Sequence, residues 1–404
     1  MASKPRVVVV GGGFAGCAVA HDKQLTAVRG PMRNAQCPLS GPMPCVLMRQ
    51  CLACAGLTRA TPLEQACDVT LIDCKDYFEI SWAGLRAMVE PALAPRVAWK
   101  HEEHLKGAAK LLVGAVARVT AEAVELADGT AVPYDYLVLA PGCGGGVGKP
   151  LETTLEARIK AFEAEAQRIK AASAVLIVGG GPTGVELAAE ILTEFPGKKV
   201  TLVQSGPALV PQLAPKAQEL LLTELISMGC VVITGAKVPR TPSGALGTVT
   251  DQGHDVAADV VFDCTGSKPH TAFCAAPGSH PGIKLDANGF ITVDKQLRAP
   301  DAPNVFALGD AAATEDAKQG YLAVTNQAPT VIANILAAVS EPKGAAKDAG
   351  VGPKDMMLVT LGRANGVAQF PGGYVVGGWW MSWLPTMIKS KGLFIDKVRG
   401  EHGV

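Results

Sequence analysis

Val7-Val8-Val9-Val10-Gly11-Gly12-Gly13-Phe14-Ala15-Gly16 decides how this 404-residue chain is read. Four successive β-branched residues suit a strand buried on both faces. The G-x-G-x-x-G that follows turns the strand into a helix over Cys17 to His21. The glycines serve different ends, since Gly11 makes the tight turn, Gly13 admits a pyrophosphate close to backbone, and Gly16 lets helix pack on strand. Gly12, Phe14 and Ala15 complete the cradle, and the helix N-terminus meets the phosphate charge. A single copy also suits plain packing in an α/β loop.

The chain repeats the plan. Val175 to Val178 runs into Gly179-Gly180-Gly181-Pro182-Thr183-Gly184, a helical stretch Val185 to Leu192 and a strand Val200 to Val203. Each copy closes on an apolar strand ending in glycine, Leu137 to Gly142 and Val260 to Gly266. A duplication of this size implies an α/β fold with two Rossmann-like dinucleotide-binding domains. Gly142, Gly179, Gly181, Gly184 and Gly266 are therefore candidate cofactor contacts. Asp73, ending the strand "DVTLID", stands where a ribose-binding carboxylate is wanted; a solvated strand-end acid is the bland alternative. Gln204 holds the corresponding place in the second copy. It has no charge to repel a 2′-phosphate, so NADPH is expected beside NADH.

The second copy is a ruler for the first. Gly179 to Gln204 is 25 positions and Gly11 to Asp73 is 62, a surplus of 37. The surplus falls in residues 23–67, which have no acidic residue from Lys23 to Leu63 but hold five basic residues, five Pro and cysteines 37, 45, 51, 54 and 67. This stretch reads as a disordered surface insertion, or alternatively as translated non-coding sequence.

Length gives two to three domains. The 37 basic residues balance 37 acidic ones and only 18% of residues are charged, against nucleic-acid binding. A hydrophobic share of 48% excludes a disordered chain. No apolar run reaches the roughly 18 residues of a membrane span. MASKPR at the start lacks a secretory pattern, and Ala2 excludes N-myristoylation, so a cytoplasmic protein with reduced thiols is expected. Cys51-Leu52-Ala53-Cys54 has the spacing of a redox pair but lies in the insertion. Cysteines 17, 74, 143, 230, 264 and 274 are scattered and read as small core residues. The inserted cysteines lack a second pair for zinc, so no metal is expected.

Asn304-Val305-Phe306-Ala307-Leu308-Gly309-Asp310 is another strand, ending in Gly-Asp, with a helix expected over Val324 to Val339. The three motifs in this order resemble the two-dinucleotide-domain flavoprotein oxidoreductases. The resemblance implies FAD in the first domain and NAD(P)H in the second. Gly309 and Asp310 then hold the ribityl chain, and the helix N-terminus around Asn326 to Ala328 faces the pyrimidine end of the flavin. "GRANGVAQ" from Gly362 and "KSKGLF" from Lys389 resemble C-terminal segments of ferroptosis-suppressor-type oxidoreductases, apoptosis-inducing-factor-like, mitochondrion-associated flavoproteins that reduce ubiquinone and vitamin K. "DCKDYFEISWAGLRAMVE" and "GVELAAEILTEFPGKKVTLV" resemble the same group, with type II NADH dehydrogenases as broader relatives. Ala2 and the insertion depart from it.

By motif, Arg86 resembles a flavin-contacting arginine and Leu112 a backbone contact to adenine. Glu186 resembles an acid near flavin and nicotinamide, or is a first-turn helix acid. Lys389 resembles a lysine that donates a proton to a reducing carbonyl, or snorkels from an apolar face. Trp379, Trp383 and Met387 recur at i, i+4, i+8 with Trp380, Leu384 and Ile388 alongside, and Pro385 interrupts them. They suit core packing, or, beside Lys389, Lys391, Lys397 and Arg399, an interfacial helix on a membrane or lipid droplet. The expected organisation is an FAD-binding domain over 1–150 and 286–340, an NAD(P)H-binding domain over 151–285, and a C-terminal α+β cap over 341–404 at a quinone site. The expected activity is that of an FAD-dependent NAD(P)H:quinone oxidoreductase. Alternatives are a disulfide or ferredoxin-type reductase, and a non-enzymatic NAD(P)H sensor of the apoptosis-inducing-factor type. Homodimerisation is left open.

Overall fold

The structure, a computed structural model, describes residues 3–21, 63–148, 150–315, 320–340, 346–352, 356–378, 385, 389 and 391–404. Strand β1 (Arg6–Val10) enters α1 (Phe14–Ala20), and a single helical turn, α2 (Leu63–Ala66), leads to β2 (Asp68–Asp73). Helices α3 (Ser81–Ala87) and α4 (His101–Leu105) precede β3 (Lys110–Val113), an antiparallel meander over residues 116–133, and β4 (Tyr136–Leu139). The second unit comprises β5 (Ala174–Val178), α5 (Pro182–Glu194), β6 (Lys199–Gln204), β7 (Val231–Thr234) and β8 (Val260–Asp263). The chain returns as β9 (Arg298–Ala299), β10 (Ala302–Ala307) and α6 (Ala328–Ser340). It ends with β11 (Met357–Leu361), β12 (Asn365–Phe370), β13 (Tyr374–Val376) and α7 (Ile395–His402).

One sheet runs β9-β10-β4-β1-β2-β3 and the other β7-β6-β5-β8. In both, the strand before the glycine turn lies between its unit's second and closing strands, all parallel. Val7 stands opposite Val69 and Tyr136, and Val175 opposite Val200 and Val260. Val7 to Val10 are at most 4% exposed, which explains an unbroken apolar run where a one-sided strand would alternate. This is the duplicated Rossmann-like fold expected from the motifs. β10 pairs with β4, Val305 opposite Leu137, so residues past 300 complete a sheet begun at residue 6. The loops leaving β4 and β8 meet where Cys143–Gly144 pairs with Lys268–Pro269. The sites thus fall at the carboxyl ends of two sheets, beside the strands where the order reverses.

Some expectations change. Leu63 to Ala66 is helical and Leu63 and Cys67 are in the core, so residues 63–67 belong to the first unit instead of the insertion. The rest of that stretch, with Cys37, Cys45, Cys51 and Cys54, lies outside the described residues. So do Trp379, Trp380, Trp383, Leu384, Met387 and Ile388. The helix expected from Val324 begins at Gly320 and passes through a π turn, Ala323–Gln327, before α6. Pro329 has no N–H to continue the ordinary ladder, and the N–H of Ala328 reaches back five residues to Ala323. Asn326 to Ala328 are therefore inside this helix and not at its N-terminus. Cys17, Cys230 and Cys274 are buried and Cys143 and Cys264 intermediate, but Cys74 is exposed, in the turn beyond the strand tip where no core covers it.

Candidate active site

The two glycine turns have matching geometry. Gly11 and Gly179 have φ of +104° and +112°, in the region that side chains rarely adopt. A Cβ at Gly11 would lie 2.2 Å from the Ala140 carbonyl, and one at Gly179 2.4 Å from that of Cys264. At Gly16 and Gly184 it would meet the Gly11 and Gly179 carbonyls at 1.8 and 2.0 Å, where helix crosses strand. At Gly13 and Gly181 it would meet nothing within 4 Å. The middle position of each motif is thus the open one. Gly13 caps α1 and Gly181 caps α5 without any side-chain acceptor, leaving the first helical N–H groups for an anion. A dinucleotide pyrophosphate fits both cradles.

Asp73 sits beside the first turn. Its Oδ2 accepts the Gly12 N–H at 2.8 Å and faces His101 Nε2 at 3.3 Å, while Oδ1 accepts the Lys75 N–H at 3.0 Å. Burial alone would push this carboxyl up; the His101 hydrogen bond and the charge and amide of Lys75 outweigh it and hold Asp73 below the usual range. Gln204 repeats the arrangement without charge, its Oε1 accepting the Gly180 N–H at 2.9 Å. Leu112 lies next along β3, opposite Ile72. Gly142 and Gly266, with φ of +69° and +132°, leave the closing strands with open space at their Cβ positions. Gly309 comes so near α1 that a Cβ would sit 3.0 Å from that of Ala15, and its N–H donates to Gln327 Oε1 at 2.8 Å. The third motif, with Asp310, thereby meets the first.

Glu186 lies on the first turns of α5, 7% exposed. Its Oε1 accepts three hydrogen bonds, from Lys389 Nζ at 2.9 Å and from the Thr360 N–H and Oγ1–H at 2.9 and 3.0 Å. The two candidate catalytic residues, 203 positions apart, form one ion pair. Four residues on, Glu190 holds Arg86 through paired hydrogen bonds, Nη2 to Oε1 at 2.7 Å and Nε to Oε2 at 3.1 Å. Arg86 also donates to the Gly362 and Lys391 carbonyls. The guanidinium of this expected flavin contact is thereby fixed by protein groups of α5, the β11–β12 turn and the C-terminal segment.

Sequence reading missed Thr360, Glu190, Gln327 and His101. Glu190 had a signal, since it repeats Glu186 one helical turn later on the same face. Thr360 had none, because its partner is supplied by folding across 174 positions.

The family model described as pyridine nucleotide-disulphide oxidoreductase matches residues 5–340. Ferroptosis suppressor protein 1 of Homo sapiens is 32% identical over 357 residues, covering 84% of this chain and 91% of that protein. Apoptosis-inducing factor homolog B of Dictyostelium discoideum is 27% identical over 98% of this chain and 96% of its own length. Among solved structures, NDH2 from Plasmodium falciparum in complex with NADH has the same fold, with a TM-score of 0.66 at 14% identity and 98% coverage of both chains. The chain belongs to the pyridine nucleotide-disulphide oxidoreductase family, as a flavoprotein oxidoreductase whose cofactors are FAD and NAD(P)H.

Proposed function

We propose that this protein is an NAD(P)H:quinone oxidoreductase with a lipid-soluble quinone as its acceptor. FAD is assigned to Gly11 through Gly16, Asp73, Leu112, Gly142, Gly309 and Asp310, within residues 1–150 and 286–340. NAD(P)H is assigned to Gly179, Gly181, Gly184, Gln204 and Gly266, within residues 151–285. The quinone is assigned to the C-terminal residues 341–404, which approach it from a membrane surface. Bound FAD supplies the hydride acceptor and the two-electron donor.

The chain's own groups bind, orient and move protons. The N–H groups of α1 and α5 neutralise pyrophosphate charge, and Asp73, held ionised, accepts ribose hydroxyls. Reduction of a quinone by two electrons to its hydroquinone also requires two protons, and Lys389 Nζ is positioned to give one. Glu186 aims the amino group of Lys389, and Thr360 fixes the carboxylate by two donors. The observation that carries the reading is this Lys389–Glu186 pair, one turn into the helix of the second glycine motif. The quinone-type acceptor is supported by the resemblance of "KSKGLF" from Lys389 to the ferroptosis-suppressor-type oxidoreductases, together with the likeness to ferroptosis suppressor protein 1 of Homo sapiens.

Anaerobic mixing with NADPH and then a short-chain ubiquinone tests the assignment. The flavin colour should be lost with NADPH and return with quinone. Lys389→Gln should slow the return by on the order of a hundredfold while leaving the loss within about threefold. A flavin that bleaches but is not reoxidised by quinone sinks the acceptor assignment.

A further inference from the structure

Lys389 is held from its own backbone as well as from Glu186. The Leu393 N–H donates to the Lys389 carbonyl at 2.7 Å, closing a turn that ends at Leu393, and Leu393 and the residue after it, Phe394, have φ of +48° and +56°. Two consecutive non-glycine residues in the left-handed region persist only where surrounding groups fix them. The groups that do so come from α3. Trp82 Nε1–H donates to the Leu393 carbonyl at 2.8 Å, and Arg86 Nη1 donates to the Lys391 carbonyl at 3.1 Å. These residues are four apart and share a face of the helix. Each has a firm backing. The Trp82 ring stacks on Phe14, centroids 4.5 Å apart and planes 22° apart, and Phe14 follows Gly13 of the first glycine turn. Arg86 is fixed by Glu190 of α5.

We propose that Trp82 is a positioning residue for Lys389: its indole N–H holds the left-handed turn after Lys389, and through that turn holds the ammonium against Glu186. Arg86 clamps the same turn at Lys391. Helix α3 is in this way the bridge between the first glycine turn and the proton donor. Trp82 acts through Lys389 and touches no reacting atom in this role. The inference rests on the reading of Lys389 as proton donor, and its test separates the two.

Trp82→Phe keeps a six-membered ring to stack on Phe14 and removes the N–H together with the five-membered part of the indole. In the full-length holoprotein, hydrogen exchange of the segment spanning residues 389–404 should speed up by on the order of five- to tenfold, the effect of one lost hydrogen bond, while α5 stays unchanged. Quinone-dependent return of flavin colour should slow by roughly fivefold, with bleaching by NADPH unaltered. Combining Trp82→Phe with Lys389→Gln should give a protein no slower than Lys389→Gln alone. Unchanged exchange in the C-terminal segment, or slowing that multiplies with that of Lys389→Gln, overturns the proposal. If Lys389→Gln itself leaves reoxidation intact, the proton-donor reading fails, and the exchange result still decides whether Trp82 holds the turn.

Discussion

At Gln204 the second unit has a neutral side chain where the first has the carboxylate of Asp73. Asp73 and Gln204 occupy equivalent strand tips and accept equivalent N–H groups, at 2.8 Å from Gly12 and 2.9 Å from Gly180. One is charged and the other neutral, so Gln204 itself offers no carboxylate to repel a 2′-phosphate. Gln204→Glu keeps the length and the acceptor oxygen while adding the charge. It should lower kcat/KM for NADPH by about tenfold, some 1.4 kcal/mol, and leave NADH within about twofold, as steady-state kinetics with both nucleotides would show. Equal loss with both nucleotides would mean that Gln204 serves the Gly180 turn alone. This residue was legible because register with a repeated motif locates it. Thr360 was not, since a β-strand threonine gains its meaning only when folding sets it against Glu186. Arg86 shows the intermediate case: its place was marked by motif, but its partners come from three distant segments.

At the scale of elements, α7 is fastened to the first unit by a buried cluster. Four of the chain's seven histidines, His21, His101, His104 and His402, are buried, and His402 of α7 packs 4.4 Å from Phe78 and 4.7 Å from His104 between ring centroids. Ligand-type atoms of Cys17, His101 and His104 lie within 4.8 Å of one another, as in a metal centre. The hydrogen bonds decide otherwise. Trp99 Nε1–H donates to His104 Nδ1 at 3.2 Å, so the neutral ring carries its proton on Nε2, which faces Cys17 Sγ at 3.4 Å. A metal on Nε2 would need that proton on Nδ1, against the indole donor. The cluster is therefore a packing device, in which His104 and His402 are held neutral. Burial, reinforced by His402, His101 and His21, pushes His104 down to about 2; burial, with His21 and His101, pushes His402 down to about 3. An unfolded histidine titrates near 6.5. Between these values the unfolded chain binds more protons, so the stabilisation is complete above roughly pH 6.5 and is lost as pH falls through it, by up to about 1.4 kcal/mol per pH unit for each histidine. The denaturant midpoint should accordingly be lower at pH 5 than at pH 7.5, and His402→Phe should reduce that difference by about half. An identical pH difference in the variant would place the acid sensitivity elsewhere. Nothing in the sequence spacing pointed to this cluster, because its members come from α4, α7 and the end of α1 and meet only in the fold.

For the molecule as a whole, the second unit has an uninterrupted crossover where the first has two short helices. Helix α5 has 13 residues and joins β6 through a short turn, whereas α1 has 7 and α2 has 4. α2 packs on α1 and Leu63 is fully buried, so the two short helices together take the place of one crossover helix, with the intervening residues spliced into it. The parallel pairing of β1 with β2, from Arg6 opposite Asp68 to Val10 opposite Ile72, matches that of β5 with β6. The crossover therefore already has the geometry of its uninterrupted counterpart. A chain in which the 37 surplus residues between His21 and Leu63 are removed, leaving a connection of the second unit's length, should fold with both sheets intact. It should bind flavin in the same ratio as the full chain, with NADPH-to-quinone turnover within about threefold. Shortening the loop lowers its closure cost only slightly, so the thermal midpoint should stay level or rise by a few degrees. Flavin stoichiometry from the visible spectrum, a melting curve and turnover check this together. Loss of flavin would mean that the segment helps build the adenine side of the cradle beside α1 and β2. Retained flavin with lost quinone turnover would instead bring the segment to the acceptor site, and either outcome would end the reading of these residues as an insertion into an otherwise complete unit.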